Sequence, residues 1–215
     1  MESFDALMQI ADRLLAPDGC PWDQKQTFTS LQPYVLEEAH EVIEAVDLND
    51  PDKIVEELGD LLYLVIFYGK LGEKKGAFFL SDIIEAIREK LVRRHPHIFG
   101  DVKVQDADEV KRNWEKIKAQ EKPPASSVLE GIPPTLPSVI RAQKGIQRMN
   151  RALPGLFAKP QGPLLTEEEI GEKLFHLILL AEESGVDAES ALRRSLLKQE
   201  STFRQEEKKG ATASS

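Results

Sequence analysis

Two pairs of carboxylates, each spaced one helical turn apart, mark where this chain could do chemistry: Glu38 with Glu41, and Glu57 with Asp60. An i, i+3 pair on a helix sits on one side of a turn. Two antiparallel helices facing each other in this way offer four carboxylates to one cation. Oxygen donors without cysteine or paired histidine favour a hard ion, Mg²⁺ or Mn²⁺. Mg²⁺ held by carboxylates keeps waters and takes phosphate oxygens as further ligands, so the implied substrate is a phosphate compound. Lys90 and Arg94, one turn apart in REKLVRRHPH, form a basic pair able to hold terminal phosphates. Plainer readings stand beside these. Glu37, Glu38, Glu41 and Glu44 could be the solvated side of an amphipathic helix. The basic pair could be an exposed helix end favoured by the macrodipole.

The elements that would carry these residues read as helices. The spacing predicts a helix from about Ser30 to Leu48, with Val35, Leu36, Ala39, Val42, Ile43 and Val46 on its apolar side. Glu37, Glu41 and Glu44 fall opposite, and Glu38 at the boundary. The next helix starts with Pro51 behind Asp50 and runs to about Lys70. On it Lys53, Glu57 and Asp60 share a stripe that continues into Leu64 and Phe67. Ile54, Leu58, Leu61, Leu62 and Val65 fill its other sides, so its second half should be buried. Carboxylates entering such a space need partners. Lys53 alone cannot balance Glu57, Asp60 and the acids of the preceding helix, and a divalent cation is the economical counter-charge.

Strand signals are nearly absent. A first helix follows from Phe4, Leu7, Met8, Ala11, Leu14 and Leu15 behind a cap at Ser3, then a loop, PDGCPWDQKQT. A fourth helix is expected behind Ser81, stopping at His95-Pro96, and a fifth over residues 107–121. Residues 122–138 hold five of the thirteen prolines and read as a linker. Beyond it come a helix from Ser138 to about Asn150, one opened by the capping box Thr166–Glu169 and closed by Gly185, and a last one from Asp187 to about Lys208. The organisation expected is thus 1–121, a linker at 122–137, a second helical region at 138–208, and a disordered tail at 209–215. EELGDLLYLVIF at 56–67 resembles EEIGEKLFHLIL at 168–179, either as two copies of one unit or as two helices of like composition.

Composition narrows the classes. With 215 residues, 41% hydrophobic and 30% charged, the chain can bury a core. Its one cysteine, Cys20, excludes a disulfide framework and a multi-cysteine zinc site. A net charge of −9 disfavours a nucleic-acid polymer as partner. The longest apolar stretch, at 61–68, is too short to span a bilayer, and the acidic N-terminus lacks the basic region of a signal peptide. A cytoplasmic protein with no membrane role is expected.

GCPWDQKQTF, LEEAHEVIEAV with its EExxE, EELGDLLYLV with its ExxD, and KLVRRHPHIFGD follow in this order. Together they resemble the MazG family of nucleoside triphosphate pyrophosphohydrolases, over residues 3–121. VIRAQKGIQRM and EEIGEKLFHLILLAEESG are similar to a second MazG domain, but a degenerate one. No acidic residue occurs between Gly131 and Thr166, and Glu172 stands where the ExxD aspartate belongs. The resemblance implies an all-α helical bundle that dimerises, and Mg²⁺-dependent cleavage of nucleoside triphosphates to monophosphate and pyrophosphate. Carried over by motif, Glu38, Glu41, Glu57 and Asp60 would ligate Mg²⁺, with Glu37 supporting them or acting as base. Lys53, Lys90 and Arg94 would hold phosphates. The alternative is a helical nucleotide-binding dimer without turnover.

Other residues carry weaker signals. Trp22 could stack on a base or anchor its loop in the core. Cys20 reads as a structural thiol, and Trp114, in register with Val110 and Ile117, as packing. Arg141, Lys144 and Arg148 form a basic stripe, either solvated or reaching a neighbouring subunit's site. Glu37-x-x-His40 is half of a di-iron signature, but no second Glu-x-x-His exists to complete it.

Overall fold

The computed structural model describes residues 2–121, 127–157 and 162–213, and every regular element among them is helical. The chain divides into two compact units, Met1–Trp114 and Glu115–Ser215.

In the first unit α1 spans Glu2–Leu15, taking Ser3 inside the helix rather than before it. The loop that follows makes a single 3₁₀ turn at Asp23–Lys25. It is held by its own polar groups: Gln24 Nε2 donates to the Ala16 carbonyl at 2.6 Å, and Thr27 and Ser30 exchange backbone and side-chain bonds. α2 (Gln32–Asp47) and α3 (Pro51–Lys74) are joined by a three-residue turn in which Asn49 adopts the left-handed conformation, φ 52°. Asp50 caps α3 by accepting from the Lys53 backbone N–H at 3.2 Å, and Pro51 takes the first helical position, where its missing donor costs nothing. α4 (Leu80–Arg94) begins one residue before the expected cap. Asp82 accepts from the Phe79 N–H at 2.8 Å, and Ser81 lies inside the helix. Pro96 ends α4 and opens a single turn, α5 (Pro96–Phe99), before α6 (Ala107–Gln120).

The tight turn makes α2 and α3 an antiparallel hairpin, and α1 and α4 pack against α3. Leu31, Leu64, Phe67 and Leu71 form the core beneath them, with Leu15, Phe28, Tyr34, Val35, Tyr63 and Tyr68 around it. Tyr68 donates its hydroxyl to the Phe28 carbonyl at 3.0 Å, tying the loop to α3. Gly69 and Gly72 let α3 meet the start of α4 closely. A Cβ at Gly72 would lie 2.5 Å from the Phe78 ring, and one at Gly69 2.9 Å from Leu80 Cβ.

The buried side of α2 differs from the one its apolar residues suggest. Ala45 is buried and Val35, Glu38 and Val42 are half-buried, whereas Leu36, Ile43 and Val46 are 64%, 55% and 52% exposed. Glu38 therefore stands in the packed stripe. α3 is likewise buried on only part of its surface. Leu64, Ile66, Phe67 and Leu71 are covered, while Val55, Leu58, Leu62 and Val65 remain exposed.

The second unit holds α7 (Ser138–Ala152), α8 (Glu167–Glu183) and α9 (Ala188–Ala213), which runs past Lys208. Its core is Leu129, Met149 and Phe203. Of the proline-rich stretch expected as a linker, residues 122–126 lie outside those described. From Ser127 on it is fastened to the helices: Arg148 donates to the carbonyls of Val128 and Glu130, and Glu207 accepts from the Val128 N–H. Thr166 and Glu169 make the expected reciprocal cap of α8, and Gly185 follows it at φ 65°. No described helix is long and apolar enough to cross a membrane.

Candidate metal centre

The hairpin brings three sequence-predicted acids together. Glu38 and Glu41 of α2 and Glu57 of α3 each offer a carboxylate oxygen, and these oxygens lie within 4.8 Å of one another. Glu57 is buried, 7% exposed, and Glu38 half-buried. The antiparallel register orders the pairs along the hairpin. Next to the turn, Lys53 Nζ meets Glu44 Oε2 at 3.2 Å. One turn on, Glu41 is the charge felt most strongly by Glu57. One turn further, Asp60 is the charge felt most strongly by Glu38. Asp60 is exposed and stays outside the tight group of three, but its charge acts across the hairpin on Glu38.

Crowding like charges in a partly dry space raises their proton affinity. Burial is the main cause at Glu38, followed by Asp60, a hydrogen bond to Glu41 and the charges of Glu41 and Glu57. Together they push the Glu38 carboxyl up to about 7. Burial, then Glu41, Glu56 and Asp60, raise Glu57, and Lys53 opposes them. Lys53 is thus the cation next to the cluster, but its hydrogen-bonded partner is Glu44. A cluster of oxygen donors in which Glu38 is pushed up to about 7 and Glu57 is also raised lacks counter-charge, and fits a hard divalent ion. Glu37 is exposed on α2, outside the group.

The basic pair lies on α4, both residues half-buried. The Arg94 guanidinium sits over the Trp114 ring, 5.3 Å from its centroid, and the His95 ring meets the same indole edge-on at 4.9 Å. Trp114, expected as plain packing, is therefore the platform that carries Arg94. Its spacing with Val110 and Ile117 hid that role. Among the described residues no ion pair joins Lys90 to the carboxylates. Trp22 is 51% exposed, with its ring edge-on to Tyr34 at 5.7 Å; the residue that buries into the loop's floor is its neighbour Asp23.

In the second unit two residues of the basic stripe are engaged within the unit, while Lys144 is exposed. Arg141 Nη2 donates to both Glu200 carboxylate oxygens, at 2.8 and 3.0 Å, with both side chains nearly buried, and Arg148 donates to loop carbonyls. Sequence spacing could not reveal Glu200, which comes from the far end of the unit.

Residues 26–99 match the model of the MazG nucleotide pyrophosphohydrolase domain. The chain is 38% identical over 234 residues to the nucleoside triphosphate pyrophosphohydrolase of Escherichia coli (strain K12), covering 97% of itself and 88% of that protein. It is 38% identical to the nucleoside triphosphate pyrophosphohydrolase/pyrophosphatase MazG of Thermotoga maritima, covering 91% of itself and 82% of that protein. It is 49% identical over 142 residues to the uncharacterized protein YabN of Bacillus subtilis (strain 168), of whose length it spans 29%. Among solved structures it resembles a mazG-related protein from Thermotoga maritima, with TM-score 0.47 and 30% identity over 54% of this chain and 98% of that one.

Proposed function

The chain belongs to the MazG family of nucleotide pyrophosphohydrolases, and from that premise we propose that its first unit hydrolyses nucleoside triphosphates to the monophosphate and pyrophosphate, using Mg²⁺ or Mn²⁺. The observation that carries this is the convergence of Glu38, Glu41 and Glu57 within 4.8 Å, with Glu38 still protonating near neutral pH. Those three, with Asp60 across the hairpin from Glu38, would hold the ion. When bound, it offsets triphosphate charge and acidifies a water in its shell.

The chain's own residues supply the rest. Lys90 and Arg94 bind the terminal phosphates, Arg94 held in place by Trp114. Lys53 exchanges Glu44 for a phosphate oxygen, a short move for a flexible side chain already at the edge of the cluster. Trp22, half-exposed on the loop, offers an indole face to the nucleobase. Water attacks the α-phosphorus with pyrophosphate leaving in line, and a carboxylate, Glu37 or Glu38, takes its proton. Little covalent chemistry is asked of the protein; positioning and charge do most of it.

The stripe Val55, Leu58, Leu62 and Val65 lies open on α3 beside this site, and a second copy of the chain is the occupant we assign to it. The test of the reaction is product analysis. A nucleoside triphosphate incubated with the chain and Mg²⁺ in ¹⁸O-water yields monophosphate and pyrophosphate, with the label in the monophosphate. Nucleoside diphosphate and orthophosphate, or no turnover at all, would overturn the reading.

A further inference from the structure

Two buried polar groups, one on the loop between α1 and α2 and one on α3, are left unused by the proposed reaction. Asp23, on the 3₁₀ turn, is 8% exposed, and among the described residues no hydrogen bond reaches its carboxylate. On α3, one turn beyond Asp60, the Tyr63 hydroxyl is buried and also makes no hydrogen bond. After burial itself, the Asp23 carboxylate and then the Cys20 thiol are what push the Tyr63 phenol up. A phenol has one proton to give and a carboxylate can only accept, so the two groups are complementary in kind. Without a partner, the buried Tyr63 hydroxyl pays the penalty of desolvation.

Their place in the hairpin gives the pair a task. Trp22, the residue before Asp23, rests edge-on against Tyr34 of α2, one turn before Glu38. Trp22 is exposed and Asp23 buried, so the indole does not anchor this end of the loop. The other end is already fastened by Tyr68 to the Phe28 carbonyl. We propose that Asp23 is a positioning residue for triphosphate hydrolysis: its carboxylate takes the Tyr63 hydroxyl, directly or through one water, and so fixes the turn that presents Trp22 beside the carboxylate cluster. This rests on the function proposed above. The bond acts on where the substrate lies and not on the ion or the water, so its loss raises KM and spares kcat.

The test uses the full chain. Asp23→Ala and Tyr63→Phe each raise KM for the triphosphate roughly tenfold, the range expected for losing one charge-assisted bond. They leave kcat within about twofold and Mg²⁺ affinity unaltered. Asp23→Asn, which keeps an acceptor, falls between wild type and Asp23→Ala. The double variant Asp23→Ala/Tyr63→Phe is no worse than the worse single one. Trp22 emission, taken as the difference between each protein and its Trp22→Phe counterpart, shifts to the red in Asp23→Ala. Additive KM effects in the double variant, a drop in kcat with KM unmoved, or unaltered Trp22 emission in folded Asp23→Ala and Asp23→Asn proteins each overturn the proposal. Should the chain turn over no triphosphate, the hydrolysis reading falls, while the emission shift still decides whether Asp23 holds the turn.

Discussion

Glu38 is the residue through which pH reaches the proposed metal site. Its carboxyl is raised from 4.5 to about 7, first by burial and then by Asp60. A raised carboxyl makes the folded state the better proton acceptor, so without metal its contribution favours folding below 4.5 and is lost as pH climbs through 7. The metal-free protein should melt at a lower temperature at pH 8 than at pH 6, and saturating Mg²⁺ should shrink the difference; calorimetry at the two pH values checks both. The proton and the ion compete for the same oxygens, so Mg²⁺ affinity should fall about tenfold per pH unit below 7. Titration calorimetry in two buffers of different ionisation heat would read the released proton directly. Which acids belong together was legible at this scale, because two i, i+3 pairs on neighbouring helices have few other ways to face. That Glu38 sits in the buried stripe was not. Leu36, Ile43 and Val46 outweigh Val35, Val42 and Ala45 in hydrophobicity, and only the packing against α3 shows that the smaller set faces inward.

At the scale of elements, caps and close approaches decide where the site residues fall. Asp50, Pro51 and the left-handed Asn49 make the α2–α3 turn that sets Glu41 against Glu57 and Glu38 against Asp60. All three are turn and cap residues that the sequence announces by type. Gly72 is not announced in that way, since a glycine within a helical pattern gives no hint of what approaches it. A Cβ there meets the Phe78 ring at 2.5 Å. Gly72→Ala should therefore cost about 1–3 kcal/mol of overpacking despite the better helix propensity of alanine, and lower the melting temperature by several degrees. In the second unit Arg141 and Arg148 of the basic stripe hold the packing together. Arg141→Ala leaves Glu200 buried without its partner, a loss of about 3–5 kcal/mol. Denaturant unfolding should show the second unit weakened, with pyrophosphate release per folded molecule unchanged. A fall in kcat with stability intact would instead return Arg141 to the chemistry.

Taken whole, the molecule concentrates its acids and its phosphate-binding candidates in the first unit. The all-α fold was legible from end to end, because helical periodicity and capping residues recur through the sequence. The role of the proline-rich stretch was not. Leu129 is buried against Met149 and Phe203, partners that lie 20 and 74 positions along the chain and carry no local signal. A fragment of residues 1–121 should fold as helix by circular dichroism and release pyrophosphate, whereas residues 127–215 should release none. If the fragment folds but is inert while the full chain is active, the second unit supplies site residues. Light scattering of the full chain at micromolar concentration should give a dimer or larger, with Leu58→Glu/Leu62→Glu shifting it towards monomer. The measurement that bears most directly on the central claim is pyrophosphate release by Glu57→Gln beside the wild type, at saturating Mg²⁺ and nucleoside triphosphate. Glutamine keeps the shape and removes the charge at the most buried acid of the cluster. If the cluster holds the catalytic ion, the Glu57→Gln protein folds, is at least as stable as wild type without metal, and loses most of its turnover. Wild-type turnover in that protein would contradict that claim.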